Sequence, residues 1–173
     1  MLAKRRLRRE VIQMENDPPE NCYASPSEES IFFWYATIIG PADSPFEGGV
    51  FKLTLQFCQD YPFKPPIVRF VTKMFHPNIN SRGRICLDVL KENWNPVLTI
   101  GKLLLSITSF LVDPNPEDPL VAEVARYDFI EICLRKIFDW IFDSNLFSFR
   151  LFKENKEEYV KRAKEYTEKY ATE

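Results

Sequence analysis

The residues best suited to chemistry gather between positions 75 and 96. His76-Pro77-Asn78 stands there ahead of Cys86, in a stretch with no sustained helical or strand period. Irregular segments of that length inside a compact domain are usually functional. A thiol on a loop near an asparagine suits acyl chemistry, because a thiolate forms a thioester and an amide N–H stabilises the oxyanion. A plainer reading stands beside it: His76-Pro77-Asn78 is a turn whose side chains hold the loop, and Cys86 fills a small apolar gap. His76 is the single histidine, and nothing supplies the separate base and orienting group that a cysteine–histidine hydrolase requires. The four cysteines, Cys22, Cys58, Cys86 and Cys133, contain no CxxC pair, so their spacing argues against structural zinc. The sequence has no Walker-type phosphate loop, and no cofactor is expected.

The elements that must position these residues follow from composition and period. The chain has 173 residues, 45% apolar and 28% charged, which suits one well-buried core. With 23 Lys plus Arg against 25 Asp plus Glu, the net charge of −2 gives no electrostatic reason to bind nucleic acid or an anionic membrane. No apolar run is long enough to cross a bilayer, and the charged N-terminus has no apolar stretch behind it, so a cytoplasmic or nuclear location is expected. Leu2, Leu7, Val11 and Met14 line one side of a basic helix over residues 2–16, ended by Asp17-Pro18-Pro19. Strand-like runs follow at 31–39, 50–57 and 67–71, separated by proline-rich turns. After the irregular segment, Thr99 caps a helix carrying Leu103, Leu104, Ile107, Phe110 and Leu111. Another helical start lies at Asp118-Pro119, and residues 152–171 read as a solvent-facing terminal helix. This succession predicts an α+β domain with an antiparallel meander.

Several blocks then become specific together. They are Tyr61-Pro62-Phe63-Lys64-Pro65-Pro66, His76-Pro77-Asn78-Ile79-Asn80, Gly83-Arg84-Ile85-Cys86-Leu87-Asp88, Trp94-Asn95-Pro96 and Asp113-Pro114-Asn115-Pro116-Glu117-Asp118-Pro119-Leu120. These blocks, and the spacing between them, resemble the ubiquitin-conjugating enzymes, especially their small single-domain members. The resemblance covers residues 2–126 and resumes at 151. It implies an N-terminal helix, a four-stranded antiparallel meander sheet, an irregular active-site segment and C-terminal helices. It also implies that Cys86 accepts ubiquitin from an activating enzyme as a thioester and passes it to a lysine with a RING- or HECT-type ubiquitin ligase, ATP being consumed by the activating enzyme. Asn78 matches an asparagine implicated either in the oxyanion or in bracing the loop. Asp118 matches an acidic position beside the attacking lysine, and Asp88 matches one that shapes the channel. Arg5, Arg6 and Arg9 match positions that meet the activating enzyme and ligases. Pro62, Phe63, Asn95, Pro96 and Val97 match ligase-binding loops, although Asn95 and Val97 replace the small polar residue and alanine that often stand there. Two other readings stay open: a conjugating enzyme for another ubiquitin-like modifier, and an inactive ubiquitin-binding variant, against which the presence of Cys86 counts.

Residues 127–150 interrupt the single domain of 1–173, because the family pattern runs from Ala125-Arg126 directly into Leu151-Phe152-Lys153. Seven of these 24 residues are aromatic. Read back through the genetic code, Arg126-Tyr127 fits AG|GTAT and Phe149-Arg150 fits TTTAG|G, the two ends of a 72-nucleotide phase-two intron spanning the 24 codons. A retained intron is the leading reading. The rival is a genuine amphipathic helix, with Ile130, Leu134, Ile137 and Ile141 opposite a polar stripe and a turn at Asp143-Ser144-Asn145.

Overall fold

Residues 2–115 and 144–172 are described by the computed structural model. Helix α1 (Leu2–Asn16) buries Ala3, Leu7, Glu10 and Met14. This stripe is rotated from the expected one: Leu2 is exposed and Val11 only half-buried, while a carboxylate takes a place among the apolar side chains. Four strands follow: β1 (Cys22–Pro26), β2 (Phe33–Ile39), β3 (Val50–Gln56) and β4 (Ile67–Phe70). They form one antiparallel sheet in chain order. β1 is short and lies between prolines, so no alternation announces it, and its edge position tolerates Pro26.

The register decides which face is dry. Trp34 pairs with Leu55 and Leu55 with Val68, while Ala36 pairs with Leu53 and Leu53 with Phe70. All of these are buried, whereas the intervening Tyr35, Lys52, Ile67 and Arg69 are exposed. Helix α2 (Ile100–Val112) completes the core with Leu103, Leu104, Ile107 and Leu111. As expected, the Thr99 hydroxyl accepts from the Lys102 N–H at 3.3 Å.

Two further helices close the described chain, α3 (Ser144–Glu154) and α4 (Lys156–Tyr170). The terminal helix therefore starts later than expected, after Asn155, whose side chain caps it by accepting from the Glu158 N–H at 3.1 Å. Ser144 and Asn145, expected in a turn, open α3 instead, and α3 crosses the junction between Arg150 and Leu151 without a break. Phe147 packs edge-on to Phe75, with ring centroids 6.1 Å apart, beneath the Arg162 guanidinium. The rest of the proposed insertion, 127–143, lies outside the described residues.

One buried carboxylate links the elements. Glu10 Oε1 accepts from the Tyr61 hydroxyl at 2.5 Å and from Arg6 Nε at 2.6 Å, and Oε2 accepts from the Ile100 N–H at 2.5 Å. Ile100 begins α2, so Glu10 satisfies a backbone donor that the helix itself cannot, and sits where its dipole favours an anion. Arg6 also donates to the carbonyls of Pro96 and Leu98, at 3.1 and 2.9 Å. Burial, with Glu10 beside it, holds the Tyr61 phenol protonated far above the usual tyrosine range, so it acts as a donor here.

Glu10→Ala is expected to lower stability by about 3–5 kcal/mol, the usual cost of leaving a buried charged partner unpaired. Urea unfolding measures it, and a loss below about 1 kcal/mol contradicts the linking role. A second expectation concerns 127–150. Removing them joins Arg126 to Leu151, so that, counting back from Leu151, Val124 takes the fully buried place that Ser148 holds. Burying a valine there should raise stability by about 1.5 kcal/mol. A shortened chain that fails to fold, with mature transcripts that all retain the 72 nucleotides, rules out the intron reading.

Candidate active site

The segment after β4 is held by scattered hydrogen bonds rather than by a ladder. Asn80 organises its tip: Oδ1 accepts from the Arg82 and Arg84 N–H groups, each at 3.0 Å, and the Asn80 N–H donates to the Arg84 carbonyl. Gly83 follows with φ +73°, and its carbonyl accepts from the Phe70 N–H at 2.9 Å. A Cβ on Gly83 would stand 1.9 Å from the Phe70 carbonyl oxygen, so only glycine fits against the strand.

His76 is fully buried. Its Nδ1 accepts from the Asn78 N–H at 3.1 Å, which leaves Nε2 as the donor toward the Phe110 carbonyl at 3.3 Å. Burial pushes its pKa down to about 3, so the ring is neutral and serves as a strut between the segment and α2. Asn78 is also buried; its carboxamide nitrogen donates to the Asn115 carbonyl at 2.8 Å, and its own carbonyl accepts from the Cys86 N–H at 2.9 Å. Asn78 thus stands between the cysteine and the chain at 113–115.

Cys86 is largely buried, and an exposed residue reaches its sulfur: Lys91 Nζ donates to Sγ at 2.9 Å. Lys91 follows a single 3₁₀ turn, Asp88–Leu90. Asp88 shapes that turn: Oδ1 accepts from the Val89 N–H and Oδ2 from Asn93 Nδ2, both at 2.7 Å, and its carbonyl accepts from the Lys91 N–H at 2.8 Å. The other described cysteines have different surroundings. Cys22 is buried on β1 with Sγ 3.5 Å from Thr108 Oγ1, and burial pushes its thiol pKa up; Cys58 is exposed beyond β3. Asp118 and Cys133 lie outside the described residues.

The remaining predicted site residues fall into two groups. Arg5 and Arg9 project to solvent, whereas Arg6 is turned inward onto Glu10 and the 96–98 backbone. Phe63 and Val97 are 68% and 73% exposed. Pro62 is buried and Pro96 half-buried beneath them. The Trp94 indole donates to the Pro62 carbonyl at 2.7 Å, tying the two loops together, and the exposed Asn95 stiffens its own loop by accepting from the Val97 N–H at 3.0 Å. Sequence reasoning missed Lys91, whose signal was only a cation five positions after the thiol. It also missed Glu10, detectable as a carboxylate at helical spacing with Leu7 and Met14.

The fold and the segment together define an α+β domain built around a loop-borne cysteine. The ubiquitin-conjugating enzyme family pattern matches residues 6–128, and the chain belongs to that family. The matched span includes Asn78, Cys86 and Asp118 and ends two residues into the 127–150 stretch.

His76 provides a test of the frame. Folded, the imidazole resists protonation down to about pH 3, whereas unfolded it titrates near 6.5, so the unfolded state binds more protons between those values. Stability should therefore fall as pH drops below about 6.5, by about 1.4 kcal/mol per pH unit. No second histidine obscures the range between pH 7 and 5. Urea midpoints at these two pH values read the slope, and equal midpoints contradict the assignment.

Proposed function

We propose that this chain carries ubiquitin, taking it from an activating enzyme as a thioester on Cys86 and delivering it to a lysine with a ligase bound. The observation that carries the reading is the setting of Cys86. It is the described cysteine whose backbone is held by Asn78 and whose sulfur meets an amine from an exposed side chain. Loading exchanges one thioester for another: the Cys86 thiolate attacks the carbonyl carbon, and the activating enzyme's sulfur departs with the electron pair. Discharge is the attack of a lysine amine on the new thioester. The Asn78–Asn115 hydrogen bond favours bracing as the role of Asn78, because it fixes the 113–115 chain that leads to Asp118. Asp118 would orient the incoming amine or take its proton.

Partner contacts divide along the same lines. Arg5 and Arg9 offer exposed positive charge to the activating enzyme, while Arg6 acts indirectly by holding the loop that displays Val97. Phe63 and Val97, on the paired loops of Pro62 and Asn95-Pro96, offer the apolar anchor for a RING- or HECT-type ligase. No cofactor enters the chemistry of this chain; ATP is spent by the activating enzyme. A cytoplasmic or nuclear setting, where thiols stay reduced, suits the mechanism.

Incubation with activating enzyme, ATP and either ubiquitin or another ubiquitin-like modifier, followed by non-reducing gels, tests the reading. Ubiquitin should give a reducible adduct, Cys86→Ser a reductant-resistant oxyester at most, and Cys86→Ala none. A reducible adduct that survives in Cys86→Ala overturns the assignment, and loading with another modifier alone moves the chain to that pathway. Asn78→Ala and Asp118→Ala should load but slow transfer to lysine by about tenfold or more, corresponding to ~1.4 kcal/mol in the transition state. Equal losses in both half-reactions indicate a damaged fold instead.

A further inference from the structure

The solvent face of the sheet repeats one pattern twice. Tyr23 on β1 lies opposite Thr37 on β2, which lies opposite Lys52 on β3. One row along, Tyr35 on β2 lies opposite Thr54 on β3, which lies opposite Arg69 on β4. Each row runs tyrosine, threonine, cation, with the tyrosine and the cation about 10 Å apart across two strand spacings. The rows are diagonal neighbours, so the two tyrosines stand about 7–8 Å apart, as do the two cations. Tyr23 and Tyr35 are 58% and 57% exposed, Lys52 and Arg69 are exposed, and the threonines are half-buried between them. Phe33 props the Tyr35 ring edge-on, with centroids 5.3 Å apart, so the ring is held without being covered. Arg84 stands opposite Arg69 across an isolated bridge, on the same positive side. No outward residue of the four strands is acidic, and neither Lys52 nor Arg69 has a carboxylate partner among the described residues. The net charge of −2 conceals this face, because the carboxylates lie elsewhere.

We propose that this face binds single-stranded nucleic acid, one nucleotide to each row. The base lies against the tyrosine, the sugar over the threonine hydroxyl and the phosphate against the cation. Exposed rings on a sheet accept bases of any sequence, because every base has a π-face, and neighbouring cations follow the backbone. The distance between rows is about twice the ~3.4 Å that separates charges along a stacked strand. The two bases are therefore splayed, each on its own ring, as unpaired strands allow and duplexes do not. Other anionic partners fit less of the pattern. An acidic peptide would meet the cations and leave the tyrosines unused, and an anionic bilayer has no flat group to lay on them.

The test is the fluorescence anisotropy of a labelled ten-nucleotide oligouridylate titrated with the full chain, repeated from low to moderate salt. Binding should weaken with salt at a log–log slope of about −1.4, Lys52 and Arg69 contributing about 0.7 each on a single strand. Lys52→Gln and Arg69→Gln should each reduce that slope by about 0.7. Tyr23→Ala and Tyr35→Ala should each weaken binding about fivefold or more, whereas Tyr35→Phe, which keeps the ring, should bind as the parent does. Urea midpoints establish that the variants are folded, and the two glutamine variants decide the question if an alanine variant is not. The proposal is overturned by the absence of an anisotropy change at low salt, or by binding that the four weakening variants leave intact. It is equally overturned if a labelled duplex, a polyglutamate peptide or phosphatidylserine vesicles bind as tightly as the oligouridylate.

Discussion

A single carboxylate inside the protein, Glu10, joins three parts of the chain at one point: α1, the turn after β3 and the start of α2. A buried ion pair contributes little net stability, since desolvation offsets most of the attraction. What Glu10 contributes is geometry. Its two oxygens take a donor from α1, one from the turn after β3 and one from the first residue of α2, so the angle between the helices and the position of the Tyr61-Pro62 turn are set at one point. Arg6 carries the constraint outward to the carbonyls of Pro96 and Leu98, and Trp94 returns it to Pro62. The surface displaying Phe63 and Val97 is thus the outer layer of a buried polar cluster.

The active-site segment is built differently. It has no strand ladder to impose its path, so each change of direction has its own bond: Asn80 at the tip, Gly83 against β4, His76 against α2 and Asn78 between Cys86 and Asn115. Neutral and charged groups divide the work. The buried histidine is kept uncharged by its surroundings and acts as a spacer, while the charged groups, Asp88 and Lys91, lie in the exposed turn beside the sulfur. This division allows a polar segment to pass through the core without an uncompensated charge.

What could be read from the sequence divides along the same line. Phe51, Leu53 and Leu55 alternate with polar residues, so β3 and its neighbours were visible, as was the Thr99 cap of α2. Cys86 and Asn78 stand out in the sequence because acyl chemistry uses those residue types, and the fold joins them by a backbone hydrogen bond. β1 was not, since five residues ending at Pro26 carry too little period. The inward turn of Arg6 was hidden for a related reason: a basic residue on a basic helix looks solvated until its partners are known, and its loop partners are 90 and 92 positions away. Glu10 likewise finds Tyr61 at a separation of 51. Hydropathy patterns report which face is dry; they carry no information about a polar residue satisfied by distant chain.

The contact at Gly83 has a consequence beyond positioning. β4 is an edge strand, and an unguarded edge is a template on which another chain can add. Here the Phe70 N–H is already taken by Gly83, and Arg69 bridges to Arg84, so the segment bearing Cys86 covers the Arg69-Phe70 end of that edge. The loop that presents the thiol thus also caps part of one of the sheet's two edges. Displacing it would bare more strand edge, which couples the exposure of the sheet to the integrity of the loop that carries Cys86.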